Sequence, residues 1–73
     1  CDNVLETNII NNNIRFKSDV NYFILFNQLG QKIIEGQNIQ SGAEFDVPFL
    51  NGGIYFMHYS TNEITCGLKL YKL

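Results

Sequence analysis

One histidine, two cysteines and seven acidic residues carry whatever acid–base, nucleophilic or metal chemistry this 73-residue chain could perform. His58 together with Ser60, Asp46 or Cys66 supplies the residue types of a nucleophile–base–carboxylate arrangement, in which an imidazole takes the proton of a hydroxyl or thiol. Such chemistry also needs donors aimed at the developing oxyanion, and no nucleophile elbow or glycine-rich cradle accompanies these residues. His58 lies between Met57 and Tyr59, which reads as a strand histidine facing solvent or satisfied at the core boundary.

The carboxylates Asp2, Glu6, Asp19, Glu35, Glu44, Asp46 and Glu63 are scattered. A calcium loop needs oxygen ligands at close, regular spacing. Glu44 and Asp46 share one face of a short strand, with no third ligand nearby in sequence. Asn51-Gly52-Gly53 lacks the following helix and lysine of a phosphate loop and reads as a turn. Cys1 and Cys66 stand at opposite ends of the chain, unlike the clustered thiolates of a zinc site. Three readings stay open for them: a disulfide tying the first strand to the last, a buried Cys66 with a free Cys1, or Cys1 as a lipidated terminus. No metal and no cofactor are expected, and the chain does not read as an enzyme.

Composition narrows the classes further. The formal net charge is −2 with only five basic residues, whereas a nucleic-acid surface needs a basic stripe to displace counterions. No apolar run approaches the roughly 18 residues of a spanning helix. Because a chain this short buries only about 60% of its unfolded surface, its six Phe and four Tyr are needed for one core. That need weighs against using Tyr22, Phe23, Phe26, Phe49, Tyr55, Phe56 and Tyr59 as a sugar-stacking platform. The first residue is Cys1 and not Met, so a fragment of a longer product is expected, with residues 1–3 as a linker end and residues 1–73 as one domain.

The elements that would position these residues are short strands between turn signals. Residues 4–10 are β-branched and apolar, and residues 14–17 alternate. Residues 20–26 (VNYFILF) form the most apolar run and read as the central strand, buried on both faces over part of its length. Residues 31–35 follow as a hairpin partner after Asn27-Gln28-Leu29-Gly30, and residues 36–42 (GQNIQSG) read as a loop. Residues 43–47 form a short strand closed by Pro48. Residues 54–60 and 63–73 are the last two strands. In the final one Ile64, Cys66, Leu68 and Leu70 face inward, and Gly67 marks a bulge or a close backbone approach. Ten asparagines supply turn formers. Seven strands at this spacing predict an all-β, seven-stranded antiparallel immunoglobulin-like β-sandwich, with Ile24, Phe26, Leu50, Tyr55 and Leu68 in its core.

Leu50-x-x-Gly53-x-Tyr55 carries a specific expectation. A tyrosine near the start of a sandwich strand can donate its hydroxyl to backbone a few residues upstream and lock the corner. The alternative is an ordinary turn before an aromatic strand residue.

Three segments, in order, resemble a known family. Residues 23–32 (FILFNQLGQK) run an apolar strand into Leu29-Gly30-Gln31. Then Phe45-Asp46-Val47-x-x-Leu50-x-x-Gly53-Ile54-Tyr55-Phe56 sets a short strand, a Leu and Gly-Ile-Tyr in line. Last, Leu68-Lys69-Leu70-Tyr71-Lys72-Leu73 is basic and apolar. Over residues 9–73 the chain resembles the C-terminal sorting domains of the bacterial type IX (Por) secretion system. It departs from them in lacking an Asn-Pro-containing opening, since Pro48 is its only proline.

The resemblance implies a non-catalytic address label on a larger, N-terminally linked cargo. Its partners would be secretion-machinery proteins, namely an outer-membrane translocon and a sortase-like peptidase. The path would run through the periplasm to the cell surface or the medium. It further implies that Lys69, Leu70, Tyr71, Lys72 and Leu73 carry the sorting information, while Leu29, Gly30, Gln31, Leu50, Gly53, Ile54 and Tyr55 are mostly structural. The competing reading is a generic immunoglobulin- or fibronectin-like accessory module, carbohydrate-binding or spacer, of a secreted enzyme or adhesin.

Overall fold

The most apolar run becomes β3 (Val20–Phe26), which is hydrogen-bonded on both sides. The other strands of this computed structural model, which describes residues 4–73, are β1 (Ile9–Ile10), β2 (Asn13–Arg15), β4 (Lys32–Ile39), β5 (Glu44–Asp46), β6 (Gly53–Ser60) and β7 (Thr65–Lys72). They form a five-stranded sheet in the order β1-β7-β6-β3-β4 and a two-stranded sheet, β2-β5. The chain is thus all-β and sandwich-like, as the turn spacing predicts. One pairing departs from the antiparallel rule: β1 runs parallel to β7, with Ile9 opposite Tyr71 and Ile10 opposite Lys72.

The two sheets are joined by aromatic rings. Phe16, just after β2, lies 5.2 Å from Phe23 of β3, and Phe45 of β5 meets Phe23 edge-on at 4.9 Å. Around this trio lie Leu5, Ile14, Leu25, Val47, Met57, Tyr59 and Leu70, each at most 1% exposed. Edge-to-face ring pairs of this kind add to the stabilisation from burial alone.

Several expectations are corrected. Leu50 and Tyr55 are buried, but Ile24, Phe26 and Leu68 are only half-buried. Strand alternation allows one parity inward, and in β3 the inward set is Phe23 and Leu25, so Ile24 and Phe26 fall on the outer face. In β7 Cys66 and Leu70 are buried as expected, whereas Ile64 precedes the strand and is 44% exposed.

The predicted loop at residues 36–42 is strand as far as Ile39. Gly36 is there because the Phe23 ring takes the space a side chain would fill: a Cβ on Gly36 would lie 2.6 Å from Phe23 Cε1. Gly67 makes no bulge, since β6 and β7 stay in register through His58 opposite Gly67. The irregularity falls between Leu25 and Phe26 of the β3–β4 pair. The strand expected over residues 4–10 shrinks to β1 and an isolated bridge from Leu5 to Phe16. Cys66 is buried and disulfide-bonded. The expectations placed on Cys1 and on a linker end at residues 1–3 lie outside the described residues.

Candidate functional site

Tyr55 enters β6 through Asn51-Gly52-Gly53, with Gly53 at φ 146°, a conformation side chains other than hydrogen rarely adopt. The turn carries the Tyr55 hydroxyl back to the Asn51 carbonyl, to which it donates at 2.8 Å. The ring itself is 8% exposed. This is the corner expected from Leu50-x-x-Gly53-x-Tyr55, and it fixes how the chain enters the sheet.

Leu29-Gly30-Gln31 forms the β3–β4 turn. Gly30 sits at φ 82° in the left-handed region. Asn27 organises the turn: its Oδ1 accepts the N–H groups of Leu29 at 2.9 Å and Gln31 at 3.0 Å, and its Nδ2 donates to Gln31 Oε1 at 2.9 Å. Gly30 and Gln31 therefore shape the turn. Leu29 is 84% exposed and adds nothing to the core.

In the terminal segment, Leu70 is fully buried and anchors β7. Lys69 and Tyr71 project to the outer face, with Lys69 Nζ 6.0 Å from the centroid of the Tyr71 ring. Lys72 is half-buried and its Nζ donates to the Leu73 carbonyl at 3.1 Å. Leu73 is 72% exposed. The backbone here is occupied on both sides: β6 pairs through Lys72 opposite Gly53, while Tyr71 N–H donates to Asn8 O and Leu73 N–H to Ile10 O. Asn8 Nδ2 also donates to the Lys69 carbonyl. Only side chains remain to be read at this end of β7. The sheet edges lie along β4, on the part of β7 that precedes Lys69, and on the outer side of the short β1.

The three segments, far apart in sequence, meet at one end of the five-stranded sheet. Asn27, Gln28 and Leu29 line a hollow together with Gly52, Gly53, Ile54 and Tyr55. A Cβ on Gly52 would lie 3.4 Å from the Lys72 carbonyl oxygen and 3.8 Å from that of Leu73. The antiparallel order explains the convergence: β3 and β7 end where β6 begins.

The acid–base candidates are not brought together. His58 and Ser60 share the outer face of β6, where His58 lies near the Tyr22 ring. Asp46 belongs to the other sheet, and Cys66 faces the core. Glu44 bonds Arg15 across β2-β5, with Glu6 3.5 Å away on the other side. The hydrogen bond to Glu44, aided by both negative charges, raises the Arg15 pKa above its ordinary value. No group of three His, Cys, Asp or Glu among the described residues could hold a metal ion.

Of the aromatic residues weighed as a sugar platform, Phe23, Tyr55 and Tyr59 are in the core. Phe26, Phe56 and His58 border a shallow hollow of about 340 Å3 on the outer face, where Gly67 has no side chain to fill it. Phe49, weighed among those aromatic residues, is 60% exposed, and Ile9, at 56%, is an exposure the sequence does not announce. An apolar residue gives no signal that it will be left outside.

Compared with known proteins, residues 6–72 match the family model described as a secretion system C-terminal sorting domain. No curated protein and no solved structure matches.

Proposed function

Because this chain belongs to the family of type IX secretion system C-terminal sorting domains, we propose that it is the address of a larger cargo joined to its N-terminal side. The cargo crosses the periplasm, and the outer-membrane translocon reads the domain and passes the cargo to the cell surface or the medium. A sortase-like peptidase then removes the domain. Lys69, Tyr71 and Leu73 present the information, Leu70 holds the strand that carries them, and Lys72 extends the positive charge toward Leu73.

The observation that carries this reading is the family match over nearly the whole chain. It is supported by a terminal strand whose backbone is already paired on both sides while two of its side chains stand outward. Such lysines have a simpler role as guards against sheet-edge aggregation. Here, however, the backbone beside Lys72 is not an open edge.

The test is a reporter fused to this domain in a type IX-competent bacterium. The parent fusion is expected at the surface. Deleting residues 69–73, or changing Lys69 and Lys72 to Ala, is expected to leave it in the periplasm. The double substitution should alter stability by no more than about 0.5 kcal/mol in urea melts. Surface delivery of the double variant at the parent level would refute the role of the lysines, and a parent fusion that is never exported would refute the sorting function.

A further inference from the structure

Seven large apolar side chains are exposed among the described residues: Ile9, Leu29, Phe49, Phe56, Ile64, Tyr71 and Leu73. Five of them belong to the end of the sheet where the three segments meet. Leu29 tips the β3–β4 turn, and Phe49 lies on the segment leading into β6. Tyr71 and Leu73 end β7, and Ile9 pairs beside Tyr71. The opposite end carries only Ile64, in the turn before β7. A small domain that needs its large apolar residues for a core has left five of them exposed on the turns and strand ends at one end of the sheet, and exposed apolar surface of this kind marks interaction sites.

The charged side chains of the segments at this end have one sign. Residues 8–10, 27–31, 48–54 and 69–73 contain no Asp or Glu, and they contain Lys69 and Lys72. Neither ammonium group pairs with a described Asp or Glu side chain, the ion pairs being those of Arg15 and Lys32, and Lys72 Nζ lies against the main-chain oxygen of Leu73. A second copy of this chain would bring like charges together, which disfavours self-association through this surface.

Resting on the sorting function proposed above, we propose that this end of the sheet is one composite docking surface. Leu29 and Phe49 act in it together with Tyr71 and Leu73, and the partner is a protein of the export machinery with an apolar groove rimmed by carboxylates. Recognition then extends beyond the terminal strand to a turn more than forty residues earlier in the chain. The two lysines steer the encounter, and the apolar side chains fill the groove.

The experiment uses the same reporter fusion. Leu29→Ser with Phe49→Ser is expected to lower surface delivery about tenfold or more, as loss of two buried anchors would. Ile64→Ser, at the opposite end, should export like the parent. Lys69→Glu with Lys72→Glu should abolish delivery, while Lys69→Arg with Lys72→Arg should keep it. Urea midpoints of the purified variants should match that of the parent. If the Leu29/Phe49 double variant is less stable, Leu29→Ser alone, at the most exposed position, decides the matter.

Parent-level delivery of the Leu29 and Phe49 variants would overturn the composite surface while leaving the sorting function standing. So would equal loss in the Ile64→Ser control. Size-exclusion chromatography showing a dimer of the parent domain that Leu29→Ser dissolves would assign the surface to a second copy instead. Failure of the parent fusion to export would strike the sorting function itself.

Discussion

Where β6 hands over to β7, Thr61 Oγ1 accepts the N–H groups of Glu63 and Ile64, each at 3.2 Å, and Thr61 N–H donates to the Ile64 carbonyl. At the same end Asp19 Oδ1 accepts the Ser41 N–H at 2.8 Å, and Ser41 Oγ donates to the Lys17 carbonyl. The other end of the sheet is also closed by side-chain clasps, through Asn27 and Tyr55. It differs in what it adds: five exposed apolar side chains, since left-handed glycines occur at both ends, Gly30 and Gly53 here and Gly42 there. The polar end, where Ile64 alone of the large apolar residues is exposed, shows that turns of this fold close without such a cluster. Its presence at the other end is therefore not a requirement of folding.

The sharpest way to break the comparison is at Tyr55, which serves both core and turn. Tyr55→Ala should cost about 3–5 kcal/mol in urea melts through the cavity it leaves. Tyr55→Phe, which removes only the hydroxyl that holds Asn51, should cost about 1 kcal/mol. A Tyr55→Phe midpoint equal to that of the parent would mean that the clasp adds nothing. Gly30→Ala comes next. A side chain at φ 82° is strained even where space is open, as it is here, so a loss of about 1 kcal/mol is expected. An unchanged melt would show that the turn relaxes into another shape. The smallest effect belongs to the polar end. Thr61→Ala removes an exposed acceptor of two N–H groups and should cost about 0.5 kcal/mol, with reporter export unchanged. An export defect there would erase the distinction between the two ends.

The turn residues made most of this architecture legible. Glycine, asparagine and proline marked where strands stop, and Leu50-x-x-Gly53-x-Tyr55 announced its corner through the one hydroxyl able to reach back. What stayed hidden has physical causes. VNYFILF is apolar at almost every position, so alternation could not tell Phe23 and Leu25 from Ile24 and Phe26. Only the partner sheet, with Phe16 and Phe45 waiting on one side, decides. Gly36 looked like a loop signal because a glycine that makes room for a ring from the neighbouring strand is indistinguishable, in sequence, from one that makes a turn. The terminal segment was visible as lysine and tyrosine. Its companions give weaker signals: Leu29 stands in an expected turn and Phe49 among the aromatic residues weighed as a platform, but apolar type alone does not say that either is left exposed.

The parallel contact of β1 with β7 also bears on the order of assembly. Strands β3 to β4 and β6 to β7 are hairpin neighbours that can close locally, but Asn8 reaches Lys69 across 61 residues of chain. Bringing such distant segments together costs loop entropy before any contact repays it, which makes the step late. The seat of β1 does not exist until β7 has been made and laid against β6. A chain halted short of Thr65 would leave β6 bare along one edge and β1 with nowhere to dock. The ladder that joins the two ends of the domain thus closes only over a finished sheet.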